Sequence, residues 1–364
     1  MNLSQTSTQP STAPDPIGLI NQWLADELPG LLGRHRRQPM FRPLVDEVVQ
    51  LVGRPGKRIR PRLFLRGHEL FSPKSAGKVD LDDLIPAAAG LEILHAFILV
   101  HDDLIDDSDE RRGEPSLHRA LEIRLAGMKD HPELGRQLAL IGGDVLFAAA
   151  QLSVYKSSLP ADRKERMLHY LLTNLVDTGW GEAADVIYGA RDISKVSQME
   201  IAEMYWLKTT RYTIEGPLWL GGIAAGAEEA DLMPLAAIAR PLGLAFQIAN
   251  DLKDFDATSA ACGSSDDLDC SKKTLLVAEA FERLGATEQT LLQLALSAER
   301  QGESTTAVIR DLILRCGAAD ELRRRQASLM EESRAAIDSA PYPAARTAGL
   351  HQLVDDLQQL IAGC

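Results

Sequence analysis

From Ile17 almost to the last residue, apolar side chains recur at three- and four-residue intervals, and segments with the two-residue period of a strand are almost absent. Such a pattern folds as packed helices. The spacing predicts helices over 17–33, 40–53, 58–71, 82–107, 115–126, 133–157, 161–188, 194–227, 230–255, 272–286, 289–301, 304–337 and 342–362. The stretch Val52-Gly53-Arg54-Pro55-Gly56 and residues Ala257 to Ser265 read as loops. Neither an internal repeat nor a linker divides the chain, so 17–364 is expected to be one all-α domain. Residues 1–16, rich in Ser, Thr, Gln and Pro, read as a disordered tail. With 45% hydrophobic residues but only 5% aromatic, the core must be built mainly from Leu and Ala.

A formal net charge of −13 argues against a nucleic-acid partner, which requires a basic surface. Cys262, Cys270, Cys316 and Cys364 form no CxxC pair and have no clustered histidines, so a zinc site is not expected. The first residues lack the apolar centre of a signal peptide, and no uncharged apolar run approaches the roughly 18–20 residues of a bilayer span. No transmembrane segment and a cytoplasmic location are the expectations.

The densest chemistry follows the apolar stretch from Leu91 to Val100, where Asp102, Asp103, Asp106 and Asp107 place four carboxylates within six residues. Taking Asp102 as zero on a helical wheel, His95 falls at about 20°, Asp106 at about 40° and Asp103 at about 100°. The four share one stripe at a helix C-terminus, where the dipole disfavours anions. A divalent cation relieves that penalty and the mutual repulsion. Oxygen-only ligands suit Mg²⁺, which completes its shell with water and substrate phosphate. Arg111 and Arg112, just downstream, are placed to clamp a diphosphate whose other oxygens hold the metal.

A second group, Asn250, Asp251 and Asp254, repeats the spacing of Asp102, Asp103 and Asp106, with Gln247 on the same face about 60° away. Two such ends suggest facing helices around one polyphosphate site. Lys57 and Arg60, three apart at a predicted helix start, together with Lys208-Thr209 and Lys272-Lys273, supply cations for two diphosphates in a chain that is otherwise acidic.

With these residues in view, the chain resembles the trans-isoprenyl diphosphate synthase (polyprenyl synthetase) family, and within it the short-chain farnesyl and geranylgeranyl diphosphate synthases. The motifs GKRIRP, EILHAFILVHDDLIDDSDERRG, Gly143-Asp144, KTTRYTIEGPLWLG, FQIANDLKD and DLDCSKKTLL occur in the family's order. The resemblance implies a bundle of long helices around a central cavity, an isoprenoid synthase fold, usually as a homodimer. It implies two Mg²⁺ on Asp102, Asp103 and Asp106 and a third on Asn250, Asp251 and Asp254. The allylic diphosphate (C5, C10 or C15) would meet Arg111, Lys208, Gln247 and Lys272 or Lys273, with Thr209 lining its site. Isopentenyl diphosphate would meet Lys57, Arg60, His95 and Arg112. Asp102, Asp103, Asp106, Lys208 and Asp251 would be the catalytic set.

In this family the residues four and five places before the first aspartate limit product length; here they are Ile98 and Phe97. A bulky residue at the fifth place with a smaller one at the fourth resembles geranylgeranyl synthases, which favours a C20 product over C15. The wheel puts Ile98 about 40° from Asp102 and Phe97 about 140° away, so simple geometry chooses Ile98 and Leu99 as the floor while family precedent chooses Phe97. Three departures stand out: Asn250 replaces the leading aspartate of the second motif and would weaken the third metal, the 257–265 loop lacks the usual Gly-Lys pair, and the end Leu360 to Cys364 lacks a basic tail. The rival readings are a class I terpene cyclase, which needs no isopentenyl site, and a non-catalytic partner subunit, which typically loses the first aspartate cluster.

Overall fold

A computed structural model describes residues 15–72, 80–111, 113–127, 131–256, 272–297 and 303–362. The helices, in chain order, are α1 (Pro16–Leu31), α2 (Arg42–Gly53), α3 (Ile59–Phe71), α4 (Leu81–Ile105), α5 (Leu117–Arg124), α6 (Leu134–Lys156), α7 (Ala161–Gly189), α8 (Gln198–Tyr205), α9 (Gly216–Ala225), α10 (Glu229–Leu232), α11 (Pro234–Asp256), α12 (Leu275–Arg283), α13 (Ala286–Leu296), α14 (Glu303–Cys316), α15 (Ala318–Ser339) and α16 (Ala344–Ala362). Among the described residues the only sheet is a two-residue hairpin, β1 (Glu110–Arg111) against β2 (Glu114–Pro115). The all-α expectation stands.

Local chemistry sets several of the boundaries. Asp15 caps α1, accepting from the Ile17 and Gly18 amides at 3.1 and 3.0 Å, with Pro16 in the first turn, where a missing N–H is harmless. Ser197 and Glu200 form a reciprocal capping box on α8. Thr274 caps α12 through the Val277 amide.

The core is one cluster of buried Leu, Ile, Val and Ala side chains, and α4 runs through it, with Ala88, Ala89 and Ile93 fully buried. Small residues on α4 let it pack closely along α6, while α3 packs on α9 and α11 on α15. A methyl group built on Gly221 would collide with the Phe64 carbonyl, so the α3–α9 contact requires glycine there.

Four expected segments are broken. The single helix expected over 194–227 is α8, a π-helical segment from Trp206 to Glu215, and α9, preceded by a 3₁₀ turn at Ile193–Lys195. The helix expected over 304–337 divides at Gly317, whose φ of +72° is left-handed. That over 230–255 divides at Met233, because Pro234 has no N–H to continue the ladder. That over 82–107 stops at Ile105, with Asp106 as its cap and Asp107 left-handed at φ 53°.

One absence needs correction. Three helical stretches, α4, α6 and 229–256, are long and apolar enough to cross a membrane by length and composition, because isolated charges barely lower the mean hydropathy of their windows. In α4, 72% of the window is covered by the rest of the protein, as a central helix requires, against 44% in each of the other two.

Candidate active site

The ends of α4 and α11 meet at a cavity of about 660 Å³. Its wall carries eight basic side chains (Lys57, Arg58, Arg60, Arg111, Lys208, Lys253, Lys272 and Lys273) against four carboxylates, Glu92, Asp102, Asp185 and Asp254. In a chain of net charge −13, that local excess of cation marks an anion site. Of the residues singled out above, Lys57, Arg60, His95, Ile98, Asp102, Arg111, Lys208, Thr209, Gln247, Asn250, Asp254, Lys272 and Lys273 all line it. Arg112, the 257–265 loop and the C-terminal side chains lie outside the described residues.

Each aspartate of the first cluster faces a cation. The Asp102 carboxylate lies 3.2 Å from Lys208 Nζ and 3.1 Å from an Arg111 guanidinium nitrogen. Arg111 also grips the buried Asp103, its Nε donating at 2.7 Å. Lys272 donates to Asp106 at 2.6 Å, which ties the segment before α12 to the end of α4. Burial pushes the Asp102 carboxyl upward, but Lys208, Lys272 and Arg111 outweigh it and hold the group below the usual carboxylate range. For Asp103 burial wins over Arg111, and with Asp102 and Asp106 nearby its carboxyl is pushed up to about 6.

Two carboxylates on α7 share Lys208 with Asp102, and of these Asp185 lines the cavity. Lys208 Nζ donates to Asp185 at 2.6 Å and lies 2.9 Å from Glu182, so one ammonium is shared by three acids. Its own burial pulls the lysine down, but Asp102, Asp185 and Glu182 raise it well above its ordinary value. The approach depends on Gly181, where a methyl group would strike the Lys208 backbone nitrogen. The π-helical segment widens the turn that presents Lys208, Thr209, Tyr212 and Thr213 to the cavity. Sequence spacing did not single out Glu182 or Asp185; the available signal was an acidic pair three apart on α7 directly after a glycine.

The second cluster is built differently. Asn250 and Asp254 line the cavity, but Asp251 is 3% exposed and turned to Tyr205, whose hydroxyl donates to it at 2.7 Å, and to Gln247 at 3.2 Å. The Tyr205 hydroxyl in turn accepts from the Leu275 amide at 3.3 Å, so Asp251 anchors α11 to α8 and α12. Arg310 of α14 donates to the Asp254 and Phe255 carbonyls, placing a cation where the α11 dipole favours one.

Elsewhere on the cavity wall, Arg60 donates to Thr213 at 2.7 Å and stacks over the Tyr212 ring at 4.3 Å. Lys57 and Arg60 are not three apart on one helix, because α3 begins only at Ile59 and Arg58 is left-handed. Both side chains reach the cavity all the same. Among the apolar candidates, Ile98 and Leu99 form cavity wall, whereas Phe97 is not in it and packs on His101 and Phe147, with ring centroids 4.7 and 5.2 Å apart. Ile98 thus lies on the cavity side of α4, near Asp102 on the wheel, and the angle of Phe97 accounts for its turn toward α6.

The donor set fits Mg²⁺. Among the described residues no three His, Cys, Asp or Glu side chains close on one point as a ready cage. Mg²⁺ takes one or two carboxylates and fills its shell with water and phosphate, and Asp102, Asp103 and Asp106 offer those carboxylates beside an anion-binding cavity.

A helical bundle with two acidic helix ends at a cation-lined cavity defines the class, and residues 42–313 match the polyprenyl synthetase family. The chain belongs to that family and is a transferase of prenyl groups. It is similar to a short chain isoprenyl diphosphate synthase of Methanothermobacter thermautotrophicus, 30% identical over 244 residues, 66% of this chain and 68% of that protein. A geranylgeranyl diphosphate synthase of Methanosarcina mazei is 28% identical over 310 residues, 82% of this chain and 85% of that protein. Among solved structures, geranylgeranyl pyrophosphate synthase from Corynebacterium glutamicum, complexed with isoprenyl diphosphate and magnesium, superposes with a TM-score of 0.82 at 26% identity, covering 92% of this chain and 97% of that one.

Proposed function

We propose that this chain joins isopentenyl diphosphate head-to-tail to a C5, C10 or C15 allylic diphosphate and releases geranylgeranyl diphosphate (C20). The observation that carries this reading is one cavity where seven cations besides the Glu92-paired Arg58 meet two acidic helix ends, enough positive charge for two diphosphates. Relatives named geranylgeranyl diphosphate synthase support the C20 product. A terpene cyclase would have no use for Lys57, Arg60 and His95 in the cavity wall beside the allylic site, and a non-catalytic partner would not keep Asp102, Asp103 and Asp106 together.

In this reading Lys208, Arg111 and Lys272 meet the allylic diphosphate and stabilise its charge as the C–O bond ionises. Mg²⁺ supplies further neutralisation of the departing diphosphate when held by Asp102, Asp103 and Asp106, with another ion at Asn250 and Asp254. Gln247, Thr209 and Lys273 line the same end, while Lys57, Arg60 and His95 orient the isopentenyl diphosphate so that its double bond faces the cation. Ile98, Leu99 and Phe246 give that cation apolar neighbours that exclude water. The decisive assay supplies isopentenyl diphosphate with C5, C10 or C15 primers, with and without Mg²⁺. The expected result is Mg²⁺-dependent C20 product from each primer; a hydrocarbon from geranylgeranyl diphosphate alone would overturn it.

A homodimer belongs to the same reading. Ile141, Val145, Leu152 and Tyr155 on α6, and Leu172, Val176, Trp180 and Ile187 on α7, are exposed apolar side chains at heptad-like spacing, Trp180 being 68% exposed. A second copy of the chain is the occupant we assign to this face. Light scattering should give twice the chain mass for the wild type and a monomer for Trp180→Arg.

A further inference from the structure

In the cavity wall beside Lys57, Arg60 and His95 lies a buried ion pair whose charged groups are turned to each other. Arg58 Nη1 donates to Glu92 at 2.6 Å, with side chains only 3% and 5% exposed. The rest of the guanidinium is used on backbone and α1: Nε donates to Asn21 at 2.9 Å, and Nη2 to the carbonyls of Val52 at 3.3 Å and Arg54 at 3.1 Å. The Arg58 backbone is left-handed, at φ 50° and ψ 45°, a conformation that a non-glycine residue keeps only where its surroundings hold it.

The positions of the partners give this pair its consequence. Lys57 precedes Arg58 and Arg60 follows it by two, so the left-handed turn decides where both cations point. Glu92 lies three residues before His95 on α4, one helical turn away on the same side. Arg54, held through its carbonyl, reaches across with its guanidinium to the carbonyls of Arg111 at 3.4 Å and Pro115 at 2.9 Å, which locates the hairpin that carries Arg111. Loop, α4 and hairpin are thus linked through Arg58 and Arg54, with only the Arg58–Glu92 and Arg58–Val52 contacts fully buried.

We infer that Arg58 and Glu92 are positioning residues for isopentenyl diphosphate, setting the spacing of Lys57 and Arg60 against His95 without contacting the substrate. A buried ion pair is a poor source of net stability compared with apolar side chains of the same volume, but its geometry is directional. That difference supplies the test.

The double variant Arg58→Met/Glu92→Leu keeps volume and removes both charges. Its melting temperature should stay near the wild-type value, while KM for isopentenyl diphosphate rises about tenfold and KM for the allylic substrate stays within about twofold. The single variant Glu92→Gln, which retains an oxygen acceptor, should show a smaller rise of about threefold in the same constant and decides the matter if the double variant does not fold. Unchanged isopentenyl KM, or equal shifts in both constants, would overturn the proposal. It rests on assigning Lys57, Arg60 and His95 to isopentenyl diphosphate, and Lys57→Ala and Arg60→Ala serve as controls. If these leave the isopentenyl KM unchanged, the assignment itself fails; if they raise it and the pair variants do not, only the positioning role fails.

Discussion

The two acidic helix ends share one spacing and differ in what surrounds them. At the end of α4 every aspartate meets a charged partner: Asp102 faces Lys208, Asp103 faces Arg111 and Asp106 faces Lys272. At the end of α11 the middle aspartate is buried and accepts from Tyr205 and Gln247, and the leading position is an amide. The parallel extends one turn back, where Ile98 and Leu99 precede Asp102 as Phe246 and Gln247 precede Asn250, all four lining the cavity. The difference teaches that repeated spacing reproduces a geometry, while the neighbours supplied by other helices decide the charge on it.

The sharpest way to break this comparison is to remove one acid from each end. Asp102→Ala should lower kcat about a thousandfold, because it removes a carboxylate that would hold the Mg²⁺ neutralising the departing diphosphate. Asp251→Ala should lower kcat only about tenfold but destabilise the fold by about 1–3 kcal/mol, since it leaves the buried Tyr205 hydroxyl without its acceptor. Single-turnover kinetics and urea unfolding separate the two, and equal losses of kcat would make the ends equivalent.

Restoring charge to the weaker end is the next test. Asn250→Asp should lower the Mg²⁺ concentration for half-maximal rate by about tenfold, a change of about 1.4 kcal/mol. An unchanged Mg²⁺ titration would remove Asn250 from the metal site.

A pH titration sharpens the first cluster further. Asp103, pushed up to about 6 by burial, carries a proton below that pH, and a protonated carboxyl is no ligand. Mg²⁺ affinity measured calorimetrically should therefore fall as pH drops through about 6, by up to about tenfold per unit, with proton release on binding. In the metal-free protein the sign is opposite for stability: the raised carboxyl favours the folded state at low pH and loses that contribution as pH rises through about 6.

The smallest expected change concerns the apolar residues one turn before the acids. Ile98→Ala should lengthen the product by about one isoprene unit, because Ile98 is cavity wall; Phe97→Ala should have the lesser effect, because that ring packs on Phe147 instead. Chromatography of the dephosphorylated products ranks the two, and a larger effect at Phe97 would place the floor behind α4.

By itself the sequence determined the helical class, the position of α4 and α11, and most of the cavity lining, because apolar periodicity and acid spacing are local properties of one helix. It could not place Glu182 and Asp185 on Lys208, since that contact joins α7 to the π-helical segment through a glycine whose role appears only when two helices touch. Nor could it turn Asp251 inward to Tyr205 or lock Arg58 against Glu92, partners far apart in the chain. Breaks at Gly317 and Pro234 carried local signals, yet the π-helical widening at Trp206–Glu215 did not, because it depends on how neighbouring helices pack against that turn. Spacing along a helix is fixed by covalent geometry, while the charge and hydration of each group are set by whatever the fold brings against it.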